Sequence, residues 1–381
     1  MTTLAPTTVF NSTTQGNGTI NATAPPSARC LFRKDSQEDQ IIKITAYAVI
    51  LMVSLIGNIL IAAVILSNKK MKKPTNYFIL NMAISDLVIP TMVISRHIVQ
   101  LYKQPISNFE WEMEGVLGVA LCKIVFFLQD VSTAVSIFSL ILITLDRFIA
   151  VVYPMKHYVM SNNVCKVSIF MTWFIGMSLH AVYLYIYDVR SYGGTFVCYS
   201  YWDKISDDFK AIVRNYYLSM FFILAVVPFV VMAGAYTVII LSLKRQSIPL
   251  GDSFSDRQKR QRAERERKIL RMAIAIIVSF AILWAPYNIY AFLNFFVYQN
   301  PPQPCWFPLF SFIGLYCAYA NAAVNPCICF IFSQNFRHGF KQMLSNVGFL
   351  KTRMSIRQQN TQVSVTMQNK AYEDDDKRDS A

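Results

Sequence analysis

Charged side chains are scarce in this sequence. Only 15% of its 381 residues are Asp, Glu, Lys or Arg, whereas soluble domains average roughly 25%. Hydrophobic residues make up 54% of the chain, and they are gathered in runs of about 20 or more, which soluble cores rarely need. A soluble multi-domain protein is therefore excluded, and the composition indicates a helical integral membrane protein.

Histidine and cysteine are also sparse, with four and eight residues respectively. Eight cysteines in a chain of this length are too few for a disulfide scaffold. An intramembrane enzyme would need a His/Asp pair or a Ser/Lys set, and the histidines at positions 97, 157, 180 and 338 indicate neither. We therefore predict that the protein is not an enzyme and that it needs no cofactor for catalysis.

Acidic residues are outnumbered by basic ones, which gives a formal net charge of +14. The basic residues are concentrated in particular loops between apolar runs, and this distribution disfavours nucleic acid as a partner. The first such loop covers residues 69–73, and residues 244–271 hold ten Lys and Arg against four acids. By the positive-inside rule these loops are cytoplasmic. The opposite loops are acidic or mixed and include Glu110, Glu112, Glu114, Asp188, Asp203, Asp207 and Asp208.

Seven apolar segments predict an all-α membrane protein with a seven-transmembrane helix bundle. The segments are 41–67, 75–101, 119–152, 164–187, 211–243, 268–298 and 307–332. Seven crossings with basic loops inside predict a multi-pass plasma-membrane protein with an extracellular N-terminus and a cytoplasmic C-terminus. The predicted organisation is an extracellular tail (1–40), the helix bundle (41–332), an amphipathic cytoplasmic helix (333–345) and a disordered cytoplasmic tail (346–381).

The N-terminal tail is polar and has no apolar h-region, so no cleavable signal peptide is visible. It carries three Asn-x-Ser/Thr sequons, at Asn11, Asn17 and Asn21. Three sequons in one tail favour an extracellular, glycosylated N-terminus, in agreement with the orientation that the loops give. The alternative is an ordinary Thr/Asn-rich cytosolic tail.

The apolar stretch from Cys122 to Pro154, which overlaps the third segment, combines a long apolar run with a charged pair. Its first 24 residues would extend about 36 Å as a helix, enough to cross a bilayer core of ~30 Å. Asp146 and Arg147 follow the run and would lie at a membrane surface, where such a pair stays hydrated and can exchange partners. This arrangement indicates signalling across the membrane.

Short polar or proline-containing patterns occur in nearly every segment. They are Gly57-Asn58, Asn81 with Asp86, Asp146-Arg147, Pro228 with Tyr236, Phe280-x-x-x-Trp284-x-Pro286 and Asn321-x-x-x-Asn325-Pro326. In this order and spacing they resemble the rhodopsin-like (class A) G-protein-coupled receptors, over about residues 41–345. The resemblance implies a receptor that binds an extracellular ligand and activates heterotrimeric G proteins, with arrestin and receptor kinases as further partners.

The resemblance also implies a polar core and an activation switch. The polar core comprises Asn58, Asp86, Ser136, Asn321 and Asn325, with an allosteric sodium ion at Asp86. The alternative is a neutral, hydrogen-bonded Asp86 that only joins helices. The switch comprises Asp146 and Arg147, Glu266 as the resting partner of Arg147, the connector Ile137, Pro228 and Phe280, the hydroxyl of Tyr236, and the helix-bending prolines Pro286 and Pro326. The alternative for Glu266 is pairing only with basic neighbours on its own helix.

Residues 188–202 predict a β-hairpin, because Gly193-Gly194 separates two aromatic-rich runs. The resemblance implies a disulfide between Cys198, in this hairpin, and Cys122 at the start of segment 3. Cys30 and Cys305 form a second candidate pair, and free or differently paired thiols are the alternative.

Two positions depart from the pattern of the resembled family. Cys329 stands where the family has a tyrosine that reaches toward the position of Tyr236, and Phe148 follows Arg147 in place of the usual tyrosine. These departures concern the contacts of the active state and leave the resemblance itself intact.

The residues at the predicted ligand site favour a neuropeptide. Gln129 stands where amine receptors have an Asp, and Tyr319 stands where photoreceptors have a lysine. The Gln, the aromatic hairpin and the acidic loops resemble neuropeptide receptors, and the acids would favour a basic peptide by steering. A class A receptor for a lipid or small molecule is the alternative, and a seven-helix ion transporter is a remote one. The predicted ligand-binding residues are His97, Gln129, Asp130, Trp284, Tyr287 and Tyr319.

Overall fold

The computed structural model describes residues 35–103, 110–153, 160–192, 194–246, 254–298 and 304–346. Side chains at positions 70, 245–246, 254–263, 265–266 and 345–346 are outside that description. The predicted glycosylation sites Asn11, Asn17 and Asn21, the predicted disulfide partner Cys30 and nearly all of the C-terminal tail lie outside the described residues.

Eight helices form the described bundle. They are α1 (Gln37–Ser67), α2 (Pro74–Lys103), α3 (Gly115–Val152), α4 (Asn162–His180), α5 (Phe209–Lys244), α6 (Phe254–Phe292), α7 (Phe307–Phe332) and α8 (Gln334–Asn346). Six of them, α1, α2, α3, α5, α6 and α7, are long and apolar enough to cross a membrane. The all-α seven-helix class predicted from the sequence is confirmed, with α4 as the seventh member.

Helix α4 is shorter than the predicted segment 164–187. It has 19 residues, or about 28 Å, and a separate one-turn helix, Tyr183–Ile186, follows it. Polar contacts join α4 to its neighbours: the amide Nδ2 of Asn81 donates to the hydroxyl of Thr172 at 3.1 Å, and the indole N–H of Trp173 donates to Asn81 Oδ1 at 2.9 Å. These buried bonds fix α4 against α2 without the need for a long apolar stripe.

Wide, π-helical turns interrupt two of the described helices and extend a third. They lie at Ile89–Ile94 in α2, at Phe222–Val226 in α5 and at Leu293–Val297, directly after α6. The first contains Pro90, and Pro228 lies two residues after the second. Because a proline has no backbone N–H, it cannot form the hydrogen bond of a regular helical turn at its position. Each wide turn inserts an extra residue and so rotates the face that the rest of the helix presents.

A close approach of two backbones joins α1 to α7. A Cβ added at Gly57 would lie 2.6 Å from the Cβ of Pro326, so only glycine allows this contact. Nearby, the amide of Asn58 donates to the carbonyl of Ala322 at 2.9 Å. The family-like pair Gly57-Asn58 therefore holds α1 against the proline-containing part of α7.

A three-stranded antiparallel sheet lies at one end of the bundle, which we call the hairpin end. Its strands are β1 (Glu110–Trp111), β2 (Tyr187–Tyr192) and β3 (Thr195–Ser200), in the order β1-β3-β2. Gly194 has a φ of 87°, a left-handed conformation that favours glycine in the tight turn between β2 and β3. The predicted hairpin is confirmed, and β1 is an addition that the sequence did not indicate.

A disulfide between Cys122 and Cys198 ties β3 to α3, as predicted, with the two Cα atoms 5.9 Å apart. Both residues are fully buried in a cluster that includes Phe126 and Tyr187. Cys305 is also disulfide-bonded, and its predicted partner Cys30 lies outside the described residues.

Helix α8 packs its apolar face against α1 and α7. Phe336 is buried, and Phe340 packs against the same cluster. A Cβ added at Gly339 would lie 2.7 Å from Val64 in α1, and Asn68 donates to the amide oxygen of Gln342 at 3.2 Å. These contacts place α8 across the end of the bundle opposite the hairpin.

Candidate functional site

One cavity of about 560 Å³ runs through the bundle from the hairpin end to Asp86. This volume is within the range of pockets that hold small ligands or anchoring side chains of larger ones. The lining comes from all helices between α2 and α7. It includes five of the six predicted ligand-binding residues, namely Gln129, Asp130, Trp284, Tyr287 and Tyr319.

His97, the sixth predicted ligand-binding residue, is not among the described residues that line the cavity. Its ring stacks on Tyr47 of α1 with the centroids 5.7 Å apart, and its Nε2 lies 3.3 Å from the hydroxyl of Tyr319. The π-helical turn Ile89–Ile94 lies just before it and rotates this part of α2. His97 therefore contacts Tyr319, a residue of the cavity lining, and its own contact with a ligand stays a prediction.

Asp130 on α3 is the acidic group of the cavity near the hairpin end. The hydroxyl of Tyr183 donates to its Oδ2 at 2.7 Å, and the amide of Gln129 donates to its Oδ1 at 3.3 Å. Tyr183 belongs to the one-turn helix after α4, so the shortening of α4 is what brings this hydroxyl to α3. The carboxylate is thus oriented by two donors.

Three further polar side chains, His180, Tyr216 and Tyr217, line the cavity beside Asp130. Nδ1 of His180 lies 3.0 Å from the hydroxyl of Tyr216. The sequence reasoning did not assign these residues to the ligand site, although a histidine inside an apolar segment is a general signal for function. Their positions depend on where α4 ends and on the π-helical turn in α5.

The polar core is assembled around Asp86, which is 3% exposed. The hydroxyl of Ser136 donates to Oδ1 at 2.6 Å, and the amide of Asn325 donates to Oδ2 at 2.9 Å. Asn321 also lines this part of the cavity. Asn58 is apart from this group, because its amide is bonded to the backbone of α1 and α7.

The donor set around Asp86 fits a hard cation. The amide oxygens Oδ1 of Asn321 and of Asn325 are buried and have no hydrogen-bond partner among the described residues. Hard cations take oxygen ligands from carboxylates, hydroxyls and amides, and all three types are present here. A sodium ion is thus compatible with the residues at this site.

The predicted connector lies between the two ends of the cavity. The rings of Phe280 and Trp284 are stacked with centroids 5.6 Å apart, and Phe229 contacts Phe280 at 5.9 Å. Ile137 and Phe280 both line the cavity, and Pro228 is buried next to Phe229 in the chain. A group that displaces Trp284 would therefore press directly on the α5–α6 contact.

Arg147 lies at the opposite end of α3 from the cavity entrance. Its Nη2 is 2.7 Å from Asp146 Oδ2 and donates to the hydroxyl of Thr75 at 2.8 Å. Thr75 also donates to Asp146. The side chain of Glu266 is outside the described part of the chain, so its pairing with Arg147 stays a prediction. Thr75 was not anticipated, because nothing local in the sequence links it to a residue on another helix.

The departure at Cys329 is accommodated by burial. Cys329 is fully buried in the same cluster as Tyr236. The hydroxyl of Thr144 donates to that of Tyr236 at 3.4 Å. Tyr236 is thus engaged with α3, and the position where the resembled family has a tyrosine is occupied by a small apolar side chain.

The acidic loops are partly neutralised. Asp188 forms an ion pair with Lys204 at 2.8 Å, and Glu112 forms one with Lys103 at 2.5 Å. Partial burial opposes ionisation of Asp188, but the hydrogen bond and charge of Lys204 prevail and hold the pKa of Asp188 below its usual range. Steering of a basic ligand by these acids is therefore weaker than the sequence suggests.

Comparisons with known proteins all indicate one family. Residues 57–328 match the model of the 7 transmembrane receptor (rhodopsin family). The chain is 28% identical to the substance-P receptor of Aquarana catesbeiana, over 80% of this chain and 71% of that protein. It is 27% identical to the RYamide receptor of Tribolium castaneum, over 81% and 82% respectively, and 28% identical to the human substance-P receptor, over 78% and 69%.

Proposed function

The chain belongs to the rhodopsin family of seven-transmembrane receptors, and we propose that it is a plasma-membrane receptor through which an extracellular peptide activates a heterotrimeric G protein. The observation that carries this proposal is a continuous cavity that joins Asp130 at the hairpin end to Asp86 in the middle of the bundle. A ligand bound at the hairpin end therefore occupies the same cavity as the polar side chains that link α2, α3 and α7.

The peptide class is supported by the relatives, which are named as receptors for substance P and for RYamide. The hairpin sheet also gives an extended ligand a polar surface beside the cavity. In our proposal the peptide lies along the sheet and inserts one end among Gln129, Asp130 and Tyr287. The orientation that this requires, with the hairpin end outside the cell, is the one given by the basic loops.

The signalling step begins at Trp284. A ligand that contacts Tyr287 and Trp284 changes the stacking on Phe280, and the bend at Pro286 lets the far half of α6 move. The Arg147–Asp146–Thr75 cluster then opens and frees Arg147 for the G protein. The ligand acts by binding one of two arrangements more tightly, which shifts their populations.

We also propose that the polar core holds an allosteric sodium ion. Asp86, Ser136, Asn321 and Asn325 would supply its oxygen ligands. Bound sodium would neutralise the buried carboxylate. Without such a cation, Asp86 keeps the three helices α2, α3 and α7 together through its bonds to Ser136 and Asn325. Arrestin and receptor kinases are proposed as further partners at the same end as Arg147.

A receptor for a lipid or another small molecule is the second candidate. The size of the cavity and the many aromatic and aliphatic side chains in its lining favour a compact ligand. The two candidates differ in whether the ligand extends over the hairpin sheet.

A reporter screen tests both. The full chain is expressed with subtype-selective G-protein reporters and exposed to amidated peptides and, separately, to lipids. We expect a concentration-dependent response to a subset of peptides. Arg147→Ala should abolish the response at unchanged surface expression, whereas Arg214→Ala, at an exposed position of α5, should preserve it. Responses to lipids alone would overturn the peptide class, and silence in every reporter would overturn G-protein coupling.

A further inference from the structure

The described lining of the cavity is acidic. It contains two acids, Asp86 and Asp130, and no lysine or arginine. Both carboxyl groups accept hydrogen bonds from neutral side chains, and neither forms an ion pair with a described residue. A carboxylate placed within a helix bundle without a cation is costly. The natural compensation is a positive charge brought by the ligand.

Aromatic side chains surround this carboxylate. The hydroxyl of Tyr183 donates to it, and the ring of Tyr183 lies 6.0 Å from that of Tyr216 and 5.6 Å from that of His180. Tyr217 follows, with its ring 5.6 Å from Tyr216. Such a group of electron-rich faces attracts organic cations, most strongly where water is displaced. We call Asp130, His180, Tyr183, Tyr216 and Tyr217 the tyrosine cage.

His180 contributes a second acceptor to the cage. Its side chain is 3% exposed, and its Nε2 has no hydrogen-bond partner among the described residues. The hydroxyl of Tyr216 has one proton, and the carbonyl of Leu179 lies 3.5 Å from it. Nδ1 of His180 and the hydroxyl of Tyr216 share one hydrogen bond, and Nε2 is the ring atom that remains for a ligand, as an acceptor when Nδ1 carries the proton.

We propose that the tyrosine cage is a subsite for a guanidinium group of the ligand. Guanidinium fits better than ammonium, because its planar fork can donate two parallel N–H bonds to the carboxylate of Asp130 while its face lies against aromatic rings. Arg96, a cation of α2, does not compete, since it stacks over Phe126 at 4.9 Å and is outside the cavity lining. This inference rests on the proposed function in placing the ligand in this cavity, and it specifies the chemistry of one of its side chains.

A direct binding test needs no knowledge of the ligand. The purified full chain in detergent micelles is titrated with phenethylguanidine and, in parallel, with phenethylurea, its uncharged analogue, and the melting temperature is followed. We expect saturable stabilisation by the guanidinium compound only. Equal stabilisation by the two compounds, or none by phenethylguanidine, would overturn the subsite.

Matched variants locate the binding. Asp130→Asn keeps the shape of the side chain but removes its charge and replaces one acceptor oxygen with an NH2 group, and it should raise the half-saturating concentration roughly 10- to 100-fold. Tyr183→Phe, which removes only the hydroxyl that orients Asp130, should have a smaller effect in the same direction. Asp203→Asn, in the exposed ion pair with Arg190 at the hairpin end, should leave the titration unchanged. Retention of full affinity in Asp130→Asn would contradict the proposal.

An experiment in cells distinguishes a failure of this inference from a failure of the proposed function. Each peptide that activates the receptor is compared with its citrulline analogue, in which the guanidinium is replaced by a neutral urea. We expect a loss of potency of roughly 10- to 100-fold at one arginine, and no such loss in Asp130→Asn. If active peptides keep their potency when each arginine is replaced by citrulline, the guanidinium subsite is contradicted and the proposed function is not. If no peptide is active but phenethylguanidine still binds, only the assignment of the ligand to the peptide class is contradicted.

Discussion

Thr75 on α2 accepts a hydrogen bond of 2.8 Å from the guanidinium of Arg147 on α3. The two residues are 72 positions apart in the chain, and Asp146 contacts both. This three-residue cluster joins α2 to α3 at the end of the bundle that faces the G protein in our proposal. Arg147 must leave it to reach a partner, so the cluster sets part of the energy difference between the two arrangements.

Removing the Thr75 hydroxyl should therefore raise signalling in the absence of ligand. We expect Thr75→Val to increase basal reporter activity roughly 2- to 10-fold, since one hydrogen bond is worth about 0.5–1.5 kcal/mol net. Thr237→Val is the control, because Thr237 is exposed and, among the described residues, donates its hydroxyl to the carbonyl of Ala233 in its own helix. Basal activity at or below that of the unmodified receptor would contradict this role of Thr75.

A sodium ion at Asp86 should be visible as salt-specific stabilisation. We expect the melting temperature of the purified receptor to be higher in sodium chloride than in choline chloride at equal ionic strength, because a ligand that binds only the folded state stabilises it. In Asp86→Asn the difference between the two salts should vanish. The exposed-loop variant Asp207→Asn should keep it, and a difference that persists in Asp86→Asn would place the effect elsewhere.

The sequence was sufficient for the helix bundle and for much of the polar core. Asp86, Ser136 and Asn325 lie on three segments whose patterns resemble one family, and the structure brings their side chains together. The stacking of Phe280 on Trp284 follows from their i,i+4 spacing on one helix face. Where a regular helix continues, periodicity alone determines which side chains meet.

The contacts that the sequence reasoning omitted occur where the helices are irregular or where two helices meet. His97 follows the π-helical turn in α2, and its contacts with Tyr47 and Tyr319 were not predicted. The tyrosine cage depends on the early end of α4 and on the turn Tyr183–Ile186. Thr75 pairs with Arg147 across two helices, and a single sequence carries no signal for such a contact.

The close contact of α1 and α7 gives a paired test of packing. Gly57→Ala should destabilise the receptor by about 1–3 kcal/mol, because the added methyl would overlap Pro326 and force the helices apart. Gly234→Ala introduces the same methyl on α5, where nothing lies within 4 Å. It should be neutral or stabilising by up to about 1 kcal/mol, since alanine favours the helix. Thermal melting in micelles distinguishes them, and equal effects would contradict the close approach.

The ion pair in the hairpin predicts a dependence of stability on acid. The pKa of Asp188 is held below its usual range by Lys204, so the folded state favours the charged carboxylate. Its contribution to stability is present above the unfolded pKa of about 3.9 and is lost as the pH falls through the lower, folded value. We therefore expect Asp188→Asn to lower the melting temperature at pH 6 and to flatten its decline toward pH 3. Asp207→Asn, at an exposed position of the same loop region, should leave both unchanged. A decline in Asp188→Asn as steep as in the unmodified receptor would assign the acid sensitivity to other carboxylates.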